Sequence, residues 1–340
     1  MKRRTFLQAT AAIAWASSRS QAAANPERRV MTVTGEMAAE QLGAMLPHEH
    51  MLVDFIGAAD VSPDRYDADD AYRVMLPYLK QAHEAGCRAL AECTPAYLGR
   101  DPRLLERLSQ ASGVKLLTNT GYYGARQGKY LPQHAFQERA DELARRWIDE
   151  WKHGLDGTDV RPGFIKIGVD AGPLTEVNQK LVEAAARCHL STGLTIAGHT
   201  GDGHAALQQV ELLKRCGASP SAWIWVHAQN ERNAEIHQRV AQAGAWVEFD
   251  GVGPASIDGH VELVSGMRRA GLLERVLVSH DAGWYWVGET HGGKVRGFDT
   301  LFTTFVPALK KADFSDEEIE LLTVVNPANA FTIHVRTLAD

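Results

Sequence analysis

Two histidines separated by one residue, His48 and His50 in Leu-Pro-His-Glu-His, have the types and spacing for metal chemistry. Along a strand successive side chains alternate faces, so two imidazoles at i and i+2 share a side and can grip one cation. Glu49 between them then faces the other way. On a helix the pair would diverge, and Pro47 disfavours helix there. Further candidates close later apolar runs: Lys166 in Gly-Phe-Ile-Lys-Ile-Gly, His199 in Ala-Gly-His-Thr, His227 in Trp-Val-His-Ala and Asp281 in Ser-His-Asp-Ala-Gly. Each has a plain structural explanation when taken alone. Lys166 could pair with a buried carboxylate, His199 and His227 could be satisfied core histidines, and Asp281 could cap a helix. Together they form a set of nitrogen and oxygen donors that suits zinc, manganese, iron or cobalt.

The elements that must position these groups are legible as alternation. Short apolar runs at about 44–52, 88–95, 114–121, 163–169, 194–199, 222–228, 245–250 and 275–281 are separated by amphipathic stretches at 70–86, 102–112, 135–154, 176–193, 205–217, 231–244 and 261–271. Most of the amphipathic stretches stop at or beside a glycine, the expected helix end before a strand. Strands alternating with helices imply parallel pairing, and eight such units predict a closed (β/α)8 TIM barrel, with an open doubly wound sheet as the alternative. No Gly-x-Gly-x-x-Gly follows the first strand, which removes the usual mark of a dinucleotide-binding sheet. Segment 32–42 is expected as a small hairpin across the bottom of the barrel. An eighth helix is expected over 301–311, and Ser315-Asp316-Glu317-Glu318 opens a last one with a capping box. In a barrel the reactive groups collect where strands end, and all six candidates stand at predicted strand ends.

Composition narrows the partners. The chain has 340 residues and a formal charge of −6, without the basic excess of a nucleic-acid binder. The apolar run Ala9–Ala16 is too short for stable membrane insertion. Residues 1–24 carry a basic start with Arg3-Arg4, a short apolar region and small residues near Ala22–Ala24, similar to a twin-arginine export signal peptide. That predicts a periplasmic or secreted bacterial protein, with 30–335 as one catalytic domain. Cys87, Cys93, Cys188 and Cys216 are too scattered for a zinc cluster or a dense disulfide frame, and buried free thiols are expected.

The six residues in this order, with Val-Asn-Pro-Ala-Asn-Ala-Phe near the end, resemble the phosphotriesterase family of the amidohydrolase superfamily, including its lactonases. The resemblance implies a (β/α)8 barrel with a binuclear metal site at the C-terminal ends of the strands. It implies that His48, His50 and Asp281 hold the buried metal and His199 and His227 the more exposed one. Lys166 would bridge both as an N6-carboxylated lysine, because CO2 addition turns a repelling ammonium into a carboxylate-like ligand. The ions would be two divalent metals, zinc first, with manganese, iron or cobalt also suited. Two such ions acidify a bridging water and polarise the substrate oxygen, and Asp281 is then the natural proton acceptor. A homodimer is the assembly that the resemblance suggests.

Two positions depart from the organophosphate-degrading pattern. Asn230 stands where those enzymes carry a proton-relaying aspartate, and Asp250 is followed by Gly251 rather than histidine or the arginine of the acyl-lactone branch. That branch also places a tyrosine after strand three; Tyr122 and Tyr123 are both available, and Tyr123 aligns better. Trp284, Tyr285 and Trp286 are expected in a loop over the site, and Arg126 and Lys129 could meet an anionic substrate. The expected function is metal-dependent hydrolysis of a carboxylic ester or lactone by a metal-bridging hydroxide, helped by Tyr123. Phosphotriester or N-acyl amide hydrolysis at the same site is the alternative. A small molecule is the expected partner in each case.

Overall fold

A hairpin leads into the first barrel strand in the computed structural model, which describes residues 28–338. The export signal expected over 1–24 lies outside the described residues. Strands β1 (Arg29–Thr32) and β2 (Gly35–Ala38) pair antiparallel. Val30, Ala39 and Leu42 from this region pack on Met45, Ala89, Leu117 and Phe164, closing the barrel floor as expected.

The barrel strands are β3 (Met45–Val53), β4 (Ala89–Glu92), β5 (Lys115–Leu117), β6 (Asn119–Thr120), β7 (Phe164–Gly168), β8 (Thr195–His199), β9 (Trp223–Val226), β10 (Trp246–Phe249) and β11 (Val276–Val278). They pair parallel in two arcs, β3-β4-β5 and β6 through β11. Thr118 alone separates β5 from β6, so these are halves of one strand. At the other seam Asp281 N donates to His48 O at 3.2 Å and His50 N to Ala282 O at 2.9 Å. With both seams joined the sheet forms the (β/α)8 barrel.

Alternation assigns each side chain its layer. Phe164, Ala197, Ile224, Val226 and Leu277 fill the barrel, while Ile165, Ile167, Ile196, Trp225 and Val278 meet the helices. Lys166 therefore shares the inner face with Phe164, and His199 shares it with Ala197.

On β3 that rule needs a correction. Met45 points inward, so strict alternation would also send Pro47 and Glu49 inward and both histidines outward. The register with β4 shows why they do not: Leu46 opposes Leu90 but Glu49 opposes Glu92, so three steps on one strand match two on the other. One extra residue makes a β-bulge, which re-aims every later side chain. Pro47 sits in it, where a missing N–H costs no ladder bond.

Helices α1 (Ala68–Ala85), α2 (Pro102–Ser112), α3 (Gln133–Gln137), α4 (Ala140–His153), α5 (Glu176–Thr192), α6 (Gly203–Arg215), α7 (Ala234–Gln242) and α8 (Ile257–Arg269) follow the strands. Asp67, Asp101, Thr175, Asp202 and Asn233 cap five of them through their side chains. The stretch expected as one helix over 135–154 is two, α3 and α4. The segments before α9 (Val306–Lys311) and α11 (Asn326–Phe331) each begin as a π-turn, Leu301–Phe305 and Leu321–Val325. Pro307 and Pro327 follow them, and a proline has no N–H to return to the carbonyl four residues back. The short α10 (Asp316–Glu320) carries the expected capping box on Ser315.

The loop expected after Asp281 is partly a strand. Segment β12 (Gly283–Trp286) pairs parallel with the end of β3. Gly283 makes this approach possible: its φ is +90°, and a Cβ there would lie 1.8 Å from His50 O. Among the described residues no helix is long and apolar enough to cross a membrane.

Candidate functional site

A cavity of about 330 Å³ opens at the C-terminal end of the barrel, and His48, His50, Lys166, His199, His227 and Asp281 all line it. All six residues read from the sequence thus meet in one place. Two of them hold unusual backbone conformations, His227 with φ +67° and Asp281 with φ +52°. Left-handed backbone at non-glycine residues is uncommon and clusters at functional sites.

The histidines are aimed by their outer nitrogens. His48 Nδ1 lies 3.1 Å from Glu248 Oε2, which leaves Nε2 facing the cavity, buried and without a hydrogen-bond partner. His50 Nδ1 lies 2.8 Å from Thr94 Oγ1, and its Nε2 is 3.2 Å from Asp281 Oδ1. His227 Nδ1 meets Asp250 Oδ1 at 2.6 Å, and its backbone N–H donates to Asp250 Oδ2 at 2.8 Å. On His199 the arrangement is reversed: Nε2 lies 2.9 Å from the Tyr123 hydroxyl, so Nδ1 remains to act as a donor atom. Burial, reinforced by neighbouring basic groups, holds His48 and His199 well below the usual histidine range, in the neutral form that binds metal.

Lys166 is 2% exposed, and its Nζ has no hydrogen-bond partner among the described residues. Asp281 Oδ1 is likewise buried without a well-formed hydrogen bond. Burial alone would raise the Asp281 carboxyl, but contact with His50 holds it below the usual carboxylate range. Orphaned buried polar atoms are costly, and here they converge. Donor atoms of His48, His50 and Asp281 lie within 4.8 Å of one another, spacing that fits a shared cation. Asp250 forms a second close group with His48 and His227, but its oxygens are occupied by His227 and by Gln229 Nε2 at 2.7 Å. It orients a ligand rather than acting as one.

Tyr123 and Tyr122 have separate fates. Tyr123 reaches the cavity, where burial raises its phenol well above the ordinary value and keeps it a neutral donor. Tyr122 packs edge-on against Trp147 and contacts His134. Phe55, Trp284 and Trp286 form an aromatic wall, with Trp284 stacked on both other rings. Lys129 is occupied, donating to Phe55 O at 2.8 Å. Asn230 is exposed at the rim. No disulfide occurs among the described residues; Cys87, Cys93 and Cys188 are buried thiols and Cys216 is half-buried.

The orienting groups Thr94, Glu248 and Asp250 are the functional residues that sequence reasoning missed. Their signal was present. Glu248 and Asp250 stand at i and i+2 in an apolar strand, the same spacing that marked His48 and His50. Glu49, expected to face away from the cavity, does so: it accepts from Ser279 Oγ, His280 N and Ala282 N at 2.8–3.0 Å, fixing the segment that carries Asp281.

A wider depression of about 1060 Å³ lies at the opposite end, lined by Arg28, Trp246, Arg275 and Arg336 among others. Its arginines are engaged. Arg28 pairs with Glu40, Arg275 lies over Trp246 and Arg336 donates to main-chain carbonyls. The chemistry therefore belongs to the C-terminal end.

The model of the phosphotriesterase family matches residues 28–331. The chain belongs to the phosphotriesterase family. A phosphotriesterase homology protein of Escherichia coli is 30% identical over 87% of this chain and 100% of its own length. The aryldialkylphosphatase of Saccharolobus solfataricus is 25% identical over 86% of this chain and 96% of its own. Among solved structures, an organophosphorus hydrolase of Deinococcus radiodurans superposes with a TM-score of 0.79 at 27% identity, covering 90% of this chain and 97% of the other. A mutant phosphotriesterase-like lactonase of the same organism gives 0.80 at 28%, covering 89% and 99%. This phosphotriesterase-family chain is a metal-dependent hydrolase, and the family depends on a binuclear metal centre.

Proposed function

We propose that this phosphotriesterase-family hydrolase cleaves a carboxylic ester or lactone. The observation that carries the reading is the convergence of His48 Nε2 and Lys166 Nζ, both buried without a hydrogen-bond partner among the described residues, and of Asp281 Oδ1, buried beside His50 Nε2, on the cavity that His199 and His227 also line. His48, His50 and Asp281 would hold one divalent ion, His199 and His227 the other, and a carboxylated Lys166 would bridge them. When bound, the ions supply Lewis acidity for ionising water and polarising the substrate oxygen. Zinc is the first candidate, with manganese, iron and cobalt suited to the same donors.

The chain's own residues do the rest. Asp281, held ionised beside His50, accepts the proton of the attacking water. The neutral phenol of Tyr123 stands at the cavity wall as a donor toward a carbonyl oxygen. Phe55, Trp284 and Trp286 exclude water and bury the apolar part of the substrate. A carbonyl substrate is favoured over a phosphotriester because the relay positions are altered: Asn230 cannot take a proton, Gly251 has no side chain, and Asp250 is committed to His227 and Gln229.

The N-acyl amide alternative is supported by human N-acetyltaurine hydrolase, a relative 25% identical over 89% of this chain. Lactones, aryl esters, paraoxon-type triesters and N-acyl amides compared on metal-reconstituted protein test the reading. Turnover of esters or lactones above the other classes is expected, and preference for another class would overturn it. Replacing Asp281 with Asn is expected to lower kcat by about a hundredfold or more, the scale of a lost general base. We also retain export through residues 1–24 as a proposal, tested by N-terminal sequencing of the mature protein.

A further inference from the structure

Arg126 is the cation at the cavity wall that has no assigned work. It stands on the loop after β6 with φ +61° and is exposed to solvent at the edge of the cavity. The loop is pinned from below: Asp170 Oδ1 accepts from Arg126 N at 2.8 Å, and Asp170 Oδ2 from Gln127 N at 3.2 Å. Those bonds use the backbone only. The guanidinium has neither a hydrogen bond nor an ion pair among the described residues, whereas the neighbouring Lys129 is spent on Phe55 O. Arg126 lines the cavity together with Tyr123 and His199, and its charge is felt at both of them.

The wall formed by Phe55, Trp284 and Trp286 is aromatic, so the cavity combines one free fork of donors with an apolar surface. A planar guanidinium matches an oxyanion through two parallel N–H bonds. We propose that Arg126 is a specificity-determining residue that binds a carboxylate or sulfonate group of the substrate while its apolar part packs on the aromatic wall. The natural substrate is then an ester, lactone or amide that carries a negative charge away from the bond to be cut. This rests on the hydrolase reading above and narrows it to anionic substrates.

The test uses matched pairs on metal-loaded full-length protein: 4-acetoxybenzoate and 4-acetoxybenzenesulfonate against neutral methyl 4-acetoxybenzoate, with N-acetyl-4-aminobenzoate as the amide arm. The quantity read is the ratio of kcat/KM for anionic over neutral substrate. Arg126→Met should lower that ratio by roughly tenfold to hundredfold, the range of a lost charge-assisted hydrogen bond, and Arg126→Lys should fall between. The benzoate and sulfonate arms identify which oxyanion is preferred. An unchanged ratio in Arg126→Met overturns the proposal.

Binding is read separately through quenching of tryptophan fluorescence by 4-hydroxybenzoate. If wild-type protein turns over none of the four compounds, the carboxylic-ester reading proposed above fails. Weaker quenching in Arg126→Met than in wild type would still support the anion site, and equal quenching would reject it.

Discussion

Arg100 and Lys166 are both buried basic side chains, and the protein treats them in opposite ways. The Arg100 side chain is 1% exposed and lies within 2.9 Å of Glu150 and 3.1 Å of Asp156, with a further bond to Asn119 O. Burial alone would depress it, but the two carboxylates outweigh that and raise it above the ordinary arginine value. Lys166 is buried as well, yet its Nζ has no hydrogen-bond partner among the described residues. It lines the cavity with four histidines and the Asp281 carboxylate, which is turned to His50. An unpaired buried polar group is costly, so the difference teaches that Arg100 is completed by its own carboxylates while Lys166 is left for a partner the fold itself does not supply. Under the function proposed above, carboxylation of Lys166 and two bound cations would complete the second arrangement as the paired carboxylates complete the first.

The largest effect that could break this contrast is at Lys166 itself. Replacement by Ala should cost about a thousandfold in kcat/KM, equivalent to roughly 4 kcal/mol, with metal content falling in parallel. Added acetate or bicarbonate should restore part of both, because a small carboxylate can occupy the vacated place. Metal analysis beside kinetics checks this. Replacement of Arg100 by Met should instead cost stability, about 1–2 kcal/mol in urea unfolding, because its bonds to Glu150, Asp156 and Asn119 O are lost while the two carboxylates stay partly solvated. Metal content should not follow it; if it does, the two sites are not independent.

His189 offers a third treatment, a buried base kept neutral. Its Nδ1 meets Leu194 O at 2.9 Å, and burial lowers it from the ordinary 6.5 to about 4. The stability it contributes is therefore complete above pH 6.5 and is lost as the pH falls from there toward 4. That loss is on the order of 3 kcal/mol, and His189→Gln should flatten the slope of unfolding free energy over this window. At the smaller end, Asp250→Asn should weaken metal binding by about 10- to 100-fold, the usual cost of losing a carboxylate that orients a ligating histidine. Competition with a chelator reads it directly.

Much of this arrangement was legible in the sequence because strand periodicity is local. Lys166 and His199 follow from counting in twos along Phe164-Ile165-Lys166 and Ala197-Gly198-His199, and the strand ends place them on one rim. His48 and His50 were found by the same rule, but their direction was not. It depends on the single-residue bulge at Pro47, a property of pairing with β4 that no window on β3 contains. A proline inside a central strand was the available clue. The orienting carboxylates repeat the lesson. Glu248 and Asp250 show the right spacing, yet only closure of the barrel brings them beneath His48 and His227. The short strand after Asp281 needed Gly283, whose role appears only when His50 O is seen against it.

The difference between Lys166 and Arg100 is tested most directly by carbon-13 spectroscopy of metal-loaded protein equilibrated with labelled bicarbonate. One labelled carbamate carbon per chain, absent from Lys166→Ala and retained in Arg100→Met, is the expected result. A fully active wild-type enzyme with no labelled carbon would show that Lys166 keeps its free amine, and the contrast with Arg100 would fall.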